Sequence, residues 1–147
     1  MESAEHPPAH VVELTALIRG PVATVWGAIL DPERQGAWLG GFRFEGGWTV
    51  GAPLALVGTL NGKPYRESGV LLAFEPERRI RYSHWSKLWR VPESPANRAI
   101  LTLTLEPHAD GTRVLLHHAL PDVEAIEPHS RFFWRGGLEQ LRRLVKG

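Results

Sequence analysis

The sequence of 147 residues contains no cysteine. Disulfides, thiolate metal sites and a cysteine nucleophile are thereby excluded, and a reducing, cytoplasmic location is the expectation. Charge of one sign is missing too: 17 basic and 16 acidic side chains leave a formal net charge of +1, with no block of like charge. Such a chain carries neither a basic stripe nor an acidic tail, so no nucleic-acid partner is expected. No apolar run approaches the roughly 18 residues of a membrane span, and the lead from Met1 to Ala9 has neither the basic start nor the apolar centre of a secretory signal. Residues 1–9 read as a disordered lead and residues 10–147 as a single domain, long enough to bury a core of its own. There is no internal repeat.

What the chain does have is 15 glycines, 12 prolines and six tryptophans, arranged in an informative order. His10 to Arg19 reads as a strand, stopped by Gly20 and Pro21. Val22, Val25, Trp26, Ile29 and Leu30 then recur at intervals of three and four, the pattern of a helix opened by proline. Asp31 and Pro32 end that helix and open a second, short one that reaches Trp38. A glycine-punctuated stretch from Gly36 to Gly51 carries Trp38, Phe42, Phe44 and Trp48, too many rings for a plain linker. Strands over Leu54–Leu60 and Tyr65–Glu75 flank Asn61 and Gly62, a strong hairpin signal. Arg79–Trp85, Ala99–Glu106 and Thr112–Leu120 continue the meander, interrupted by a proline-bearing loop over 86–97. From Pro128 to Lys146 one apolar stripe of Phe133, Trp134, Gly137, Leu138, Leu141, Leu144 and Val145 marks a terminal helix. The expected fold is α+β: two short helices after the first strand, a curved antiparallel sheet of about six strands, and a long C-terminal helix gripped by that sheet. In such a helix-grip architecture a cavity can remain between sheet and helix.

Alternation along the strands assigns the faces, since successive side chains point to opposite sides of a sheet. Ala99, Leu101, Leu103 and Leu105 turn inward, as do Val114, Leu116 and His118, with Leu115 blurring the pattern. On Arg79–Trp85 the inward set is Ile80, Tyr82 and His84. Two histidines and a tyrosine are thus expected in a mostly apolar interior.

Several segments together resemble the START-like, or SRPBCC, superfamily. They are Pro21-Val22-Ala23-Thr24-Val25-Trp26 with Asp31-Pro32 and Trp38, Gly46-Gly47-Trp48 and Gly51, Gly69-Val70-Leu71 through Phe74-Glu75-Pro76-Glu77-Arg78-Arg79-Ile80-Arg81-Tyr82-Ser83, Gly111-Thr112-Arg113-Val114 with His118, and the ending from Trp134 through Leu138 to Leu141. Within the superfamily they are most similar to the branch of the activator of the heat-shock chaperone ATPase, its C-terminal domain. The resemblance implies a helix-grip fold with a hydrophobic cavity beneath the last helix and no cofactor. It leaves function open, because the superfamily includes binders of lipids, hormones and polyketides as well as cyclases, aromatases and hydrolases.

Other chemistries are poorly supported by spacing. His117 and His118 are neighbours on a strand and point apart, His6 and His10 are separated by Pro7-Pro8, and no third ligand joins His84 and His118, so no metal site is assigned. The run Gly58 to Pro64 is a hairpin rather than a phosphate loop, and there is no Gly-x-Ser-x-Gly elbow. Carboxylates fall at turns, with Glu67 in mid-strand as the exception. The expected ligand site is a cavity with Tyr82, His84 and His118 as its polar groups and Trp38, Trp48, Leu101, Leu103, Leu116, Phe133 and Trp134 as walls. Gly137 either leaves room beneath the helix or lets it pack close. The loop over 86–97, with Leu88, Trp89 and Val91, reads equally as a lid or as a homodimer contact. The leading expectation is binding of a small hydrophobic or aromatic molecule. Two alternatives stay open: a cofactor-free enzyme using His84, His118 and Tyr82 on such a ligand, and a co-chaperone-like partner acting through its outer surface.

Overall fold

The computed structural model describes residues 7–146. In chain order the elements are β1 (His10–Ile18), α1 (Val22–Leu30), α2 (Pro32–Trp38), β2 (Arg43–Glu45), β3 (Ala55–Leu60), β4 (Lys63–Glu75), β5 (Arg79–Trp85), β6 (Ala99–His108), β7 (Gly111–Leu120) and α3 (Ile126–Lys146). Seven strands form one curved antiparallel sheet in the order β1-β7-β6-β5-β4-β3-β2, so the first strand closes against the last. Asn61 and Gly62 both take positive φ, 53° and 78°, which is the turn that a two-residue hairpin between β3 and β4 requires.

The seventh strand is the one that periodicity missed. Arg43–Glu45 lies in the glycine-rich stretch and pairs with Ala55–Val57, but three residues are too few to display an alternation. It is anchored by Gln35, a fully buried side chain of α2. The Gln35 side-chain amide donates to the Ile29 carbonyl at 3.1 Å and its oxygen accepts from the Phe44 N–H at 3.0 Å, joining α1, α2 and β2. At the N-terminus, Ala9 already pairs with the sheet, its N–H donating to the Leu120 carbonyl at 3.0 Å. Of the expected disordered lead over 1–9, the first six residues, His6 included, lie outside the described residues. Helix α3 begins two residues before Pro128, which then sits in the first helical turn, where its missing N–H costs no intrahelical bond.

Helix α3 lies across the sheet, packing against β1 and β7 and against α1 and α2. Its inward stripe is Ser130, Trp134, Gly137, Leu138 and Leu141, of which Trp134, Leu138 and Leu141 join a core with Ile18, Ile29, Trp38, Leu101, Leu103 and Leu116. Gly137 resolves in favour of close packing. A Cβ there would stand 2.9 Å from the Trp38 carbonyl oxygen, so the residue brings α3 onto the end of α2 and opens no space beneath the helix. Its neighbour Gly136 faces outward, with nothing within 4 Å of such a Cβ.

The two glycines make a paired test. Helix propensity alone favours alanine over glycine by about 1 kcal/mol, whereas crowding a packed contact costs about 1–3 kcal/mol. Gly136→Ala is expected to raise the thermal midpoint and Gly137→Ala to lower it, measured by circular dichroism. A gain at both positions would contradict the close approach of α3 to α2.

Candidate functional site

Between the open end of the sheet and the first half of α3 lies a cavity of about 340 Å³. Phe42, Leu56, Leu60, Ile126, Phe133 and Trp134 supply its apolar walls, and Leu88 and Trp89 from the loop after β5 form one rim. The polar groups come from three strands, one loop and one helix: Tyr65 and Glu67 on β4, Tyr82 and His84 on β5, Ser86, His118 on β7, and His129 and Ser130 on α3. Strand register explains the meeting of the histidines. Leu101 of β6 is opposite both Tyr82 and His118, while His84 is opposite Ala99, whose small side chain leaves the span across β6 free. The two imidazoles stack with centroids 5.0 Å apart. Tyr82 continues the series on one side and Trp134 on the other, at 5.3 and 6.1 Å.

Six of these polar groups form one continuous row. Glu67 Oε1 lies 2.7 Å from His84 Nδ1, His84 Nε2 lies 2.8 Å from His118 Nε2, and His118 Nδ1 lies 2.6 Å from Ser130 Oγ. On the other side of the carboxylate, the Tyr65 hydroxyl donates to Glu67 Oε2 at 3.0 Å and lies 2.5 Å from Ser86 Oγ, which accepts from the Leu88 N–H at 3.1 Å. With both imidazoles neutral, a single assignment of protons satisfies every link. The Ser130 hydroxyl donates to His118 Nδ1, His118 Nε2–H donates to His84 Nε2, and His84 Nδ1–H donates to Glu67. All four ring nitrogens are thus engaged within the protein, and neither imidazole presents a free nitrogen to the cavity.

Burial and charge set the ionisation of the row. Burial pushes the Glu67 carboxyl up, but the adjacent His84 ring and the hydrogen bonds from His84 and Tyr65 outweigh it, and the net shift is downward, so Glu67 is a carboxylate at neutral pH. His118 is pushed well below the usual histidine range, chiefly by burial and further by His84 and His117, and stays neutral. Burial and the Glu67 charge raise Tyr65 and Tyr82, so both remain phenols. Tyr82 stands apart. Its side chain is 2% exposed and lines the cavity, yet its hydroxyl has no hydrogen-bond partner among the described residues.

Of the residues singled out in the sequence, Tyr82, His84, His118, Phe133 and Trp134 line the cavity together. Trp38, Leu101, Leu103 and Leu116 do not; they are fully buried in the core behind it, Trp38 packing on Trp134 with ring centroids 6.4 Å apart. Trp48 is half-buried against Phe44 and Phe74, away from the cavity, and Gly137 faces Trp38. Glu67, Tyr65, Ser86 and Ser130 were not among the expected site residues. Glu67 had a signal in its mid-strand position, and Ser130 had one in lying four residues before Trp134 on the buried stripe of α3. His84 and His118 do meet, but among the described residues no group of three or more histidine or acidic side chains is placed to hold a metal ion. No helix among the described residues is long and apolar enough to cross a membrane.

Comparison with known proteins gives a consistent picture. The family model described as activator of Hsp90 ATPase homolog 1-like protein matches residues 19–146. No curated protein matches the sequence. Among solved structures, ChR145 from Cytophaga hutchinsonii superimposes with a TM-score of 0.78 at 27% identity, over 96% of this chain and 97% of its own. CalU16 from Micromonospora echinospora gives 0.67 at 25% identity over 92% of this chain and 74% of its own. DynU16, a protein of the dynemicin biosynthetic locus, gives 0.74 at 20% identity over 95% of this chain and 48% of its own.

The neutral, buried His118 predicts a pH dependence of stability. Its native pKa lies below the unfolded value of about 6.5, so below that pH the unfolded chain takes up a proton that the native state does not. The stabilisation is complete above about pH 7 and is lost on acidification, with a slope of up to about 1.4 kcal/mol per pH unit from this group. Glu67, also depressed, adds its own loss below about pH 4.5. Urea unfolding at a series of pH values should show the first slope in the wild type and not in His118→Gln; equal slopes in the two proteins would contradict the assignment.

Proposed function

The chain belongs to the family of activator of Hsp90 ATPase homolog 1-like proteins, and within that family we propose that it binds one small, largely apolar, aromatic molecule in the cavity between the sheet and α3, an oxygen of the ligand accepting from Tyr82. The observation that carries this reading is Tyr82, a buried side chain that lines the largely apolar cavity and whose hydroxyl has no hydrogen-bond partner among the described residues. A ligand oxygen that accepts from this hydroxyl gains a hydrogen bond with a net contribution of about 1 kcal/mol. The volume of about 340 Å³ falls in the range of small-molecule sites and suits one compact multi-ring molecule. The walls favour flat apolar surfaces, since Phe42, Trp89, Phe133 and Trp134 present rings at different angles.

Electrostatics narrow the ligand further. The carboxylate Glu67 is already engaged on both oxygens, by Tyr65 and by His84. An anionic ligand would face this charge at close range, while a neutral ketone or phenol ether meets only the Tyr82 phenol. The ligand of this reading is therefore neutral, with a hydrogen-bond acceptor near one end.

Isothermal titration calorimetry with 2-acetylnaphthalene and with 2-ethylnaphthalene separates shape from the polar contact. The expected result is saturable one-site binding of both, the ketone tighter. Tyr82→Phe should weaken the ketone by about 1–2 kcal/mol, roughly 5- to 30-fold, and leave the hydrocarbon unchanged. Absence of saturable binding, or equal loss for the two probes, would contradict the reading.

A further inference from the structure

The row of hydrogen bonds ends on a side chain that binding alone does not use. Ser130 is 4% exposed, lines the cavity and directs its Oγ to His118 Nδ1 at 2.6 Å. A serine inside a helix ordinarily bonds back to the carbonyl one turn earlier; here the hydroxyl is turned to an imidazole instead. That imidazole is oriented through His84 by Glu67, with links of 2.8 and 2.7 Å. The order is hydroxyl, base, orienting group and carboxylate, the arrangement that activates a nucleophile, with a second imidazole inserted between base and carboxylate.

Resting on the cavity-binding reading, we propose that Ser130 is an activated nucleophile and that the chain hydrolyses carboxylic esters of small aromatic alcohols. Ser130 Oγ attacks the acyl carbon while its proton passes to His118 Nδ1 and the proton on His118 Nε2 passes to His84 Nε2. The positive charge thus comes to rest on His84 beside the Glu67 carboxylate, rather than on His118 in its apolar setting. The tetrahedral oxygen accepts from the unpaired Tyr82 hydroxyl. Collapse breaks the acyl C–O bond, and the aromatic alcohol leaves with the proton returned from His118 Nδ1 as the row runs in reverse. Water then enters, gives a proton to His118 by the same route, attacks the acyl group and releases the carboxylic acid, restoring Ser130.

Glu67 accepts the His84 Nδ1–H, which would otherwise be buried without a partner, and so stands beside the ring on which the positive charge comes to rest. In this assignment Ser130 and His118 are the catalytic residues, and His84 and Glu67 position them and hold the charge.

The decisive experiment treats the intact protein with an alkyl fluorophosphonate, in which Ser130 Oγ forms a bond to phosphorus and fluoride leaves, followed by intact mass and peptide mapping. The expected outcome is one adduct per chain, on Ser130, slowed by 2-acetylnaphthalene. Ser130→Ala, checked for folding by circular dichroism, should take no label and should hydrolyse 2-naphthyl acetate at the background rate. His118→Gln should label at least tenfold more slowly. A wild-type protein that binds 2-acetylnaphthalene but takes no label, an adduct on another residue, or a Ser130 adduct formed as fast in His118→Gln would overturn the proposal and leave the binding reading standing. A wild type that neither binds nor labels removes both. Should His118→Gln fail to fold, wild-type labelling and its mapped site still decide.

Discussion

A carboxylate held inside an apolar fold is the constraint on which this structure turns. Glu67 keeps its charge because His84 and Tyr65 each give it a hydrogen bond, and those two donors are themselves held from behind, His84 by His118 and Tyr65 through Ser86. Removing one member leaves its neighbour's polar group buried without a partner, which costs more than the bond itself contributes. The row therefore fixes the relative placement of β4, β5, β7, α3 and the loop after β5 at one end of the molecule. The other end is fixed by ordinary core packing around Trp38, Leu101, Leu103 and Leu138.

This division explains why a cavity survives beside so many large side chains. At the packed end, Gly137 lets α3 settle onto α2, and Gln35 ties β2 to both short helices. At the other end the inward positions are Ser130 on the helix and polar rings on the sheet. Their hydrogen bonds demand fixed separations that a filled apolar core would not respect. The space that results is bordered by the row from Glu67 to Ser130, with the Tyr82 hydroxyl outside that row.

The architecture was legible in the chain because it rests on local signals. Asn61 and Gly62 required the hairpin, Pro21 and Pro32 opened the helices, and period two on β5 to β7 placed Tyr82, His84 and His118 inside together. The similarity to the START-like superfamily agreed with that order, and the family match bears it out. What stayed hidden depends on long-range register. No pattern in the sequence says that Glu67 will stand beside His84, 17 residues away, or that Ser130 will reach His118 from a helix. The apolar walls were harder still. Trp38, Leu101, Leu103 and Leu116 have the alternation of cavity residues and of core residues alike, and only the line along which α3 crosses the sheet assigns them to the core. Trp48 misled for a related reason: a tryptophan in a glycine-rich stretch signals burial against something, and here that is Phe44 and Phe74.

The most direct test of the account is a crystal structure of the protein soaked with 2-acetylnaphthalene. The account predicts the naphthalene rings between Phe133, Trp134 and Trp89, the ketone oxygen within hydrogen-bond distance of Tyr82 Oη, and the row from Glu67 to Ser130 unbroken. A cavity closed by the surrounding side chains, or a ligand whose oxygen has displaced His84 or His118 from the row while Tyr82 stands idle, would contradict it.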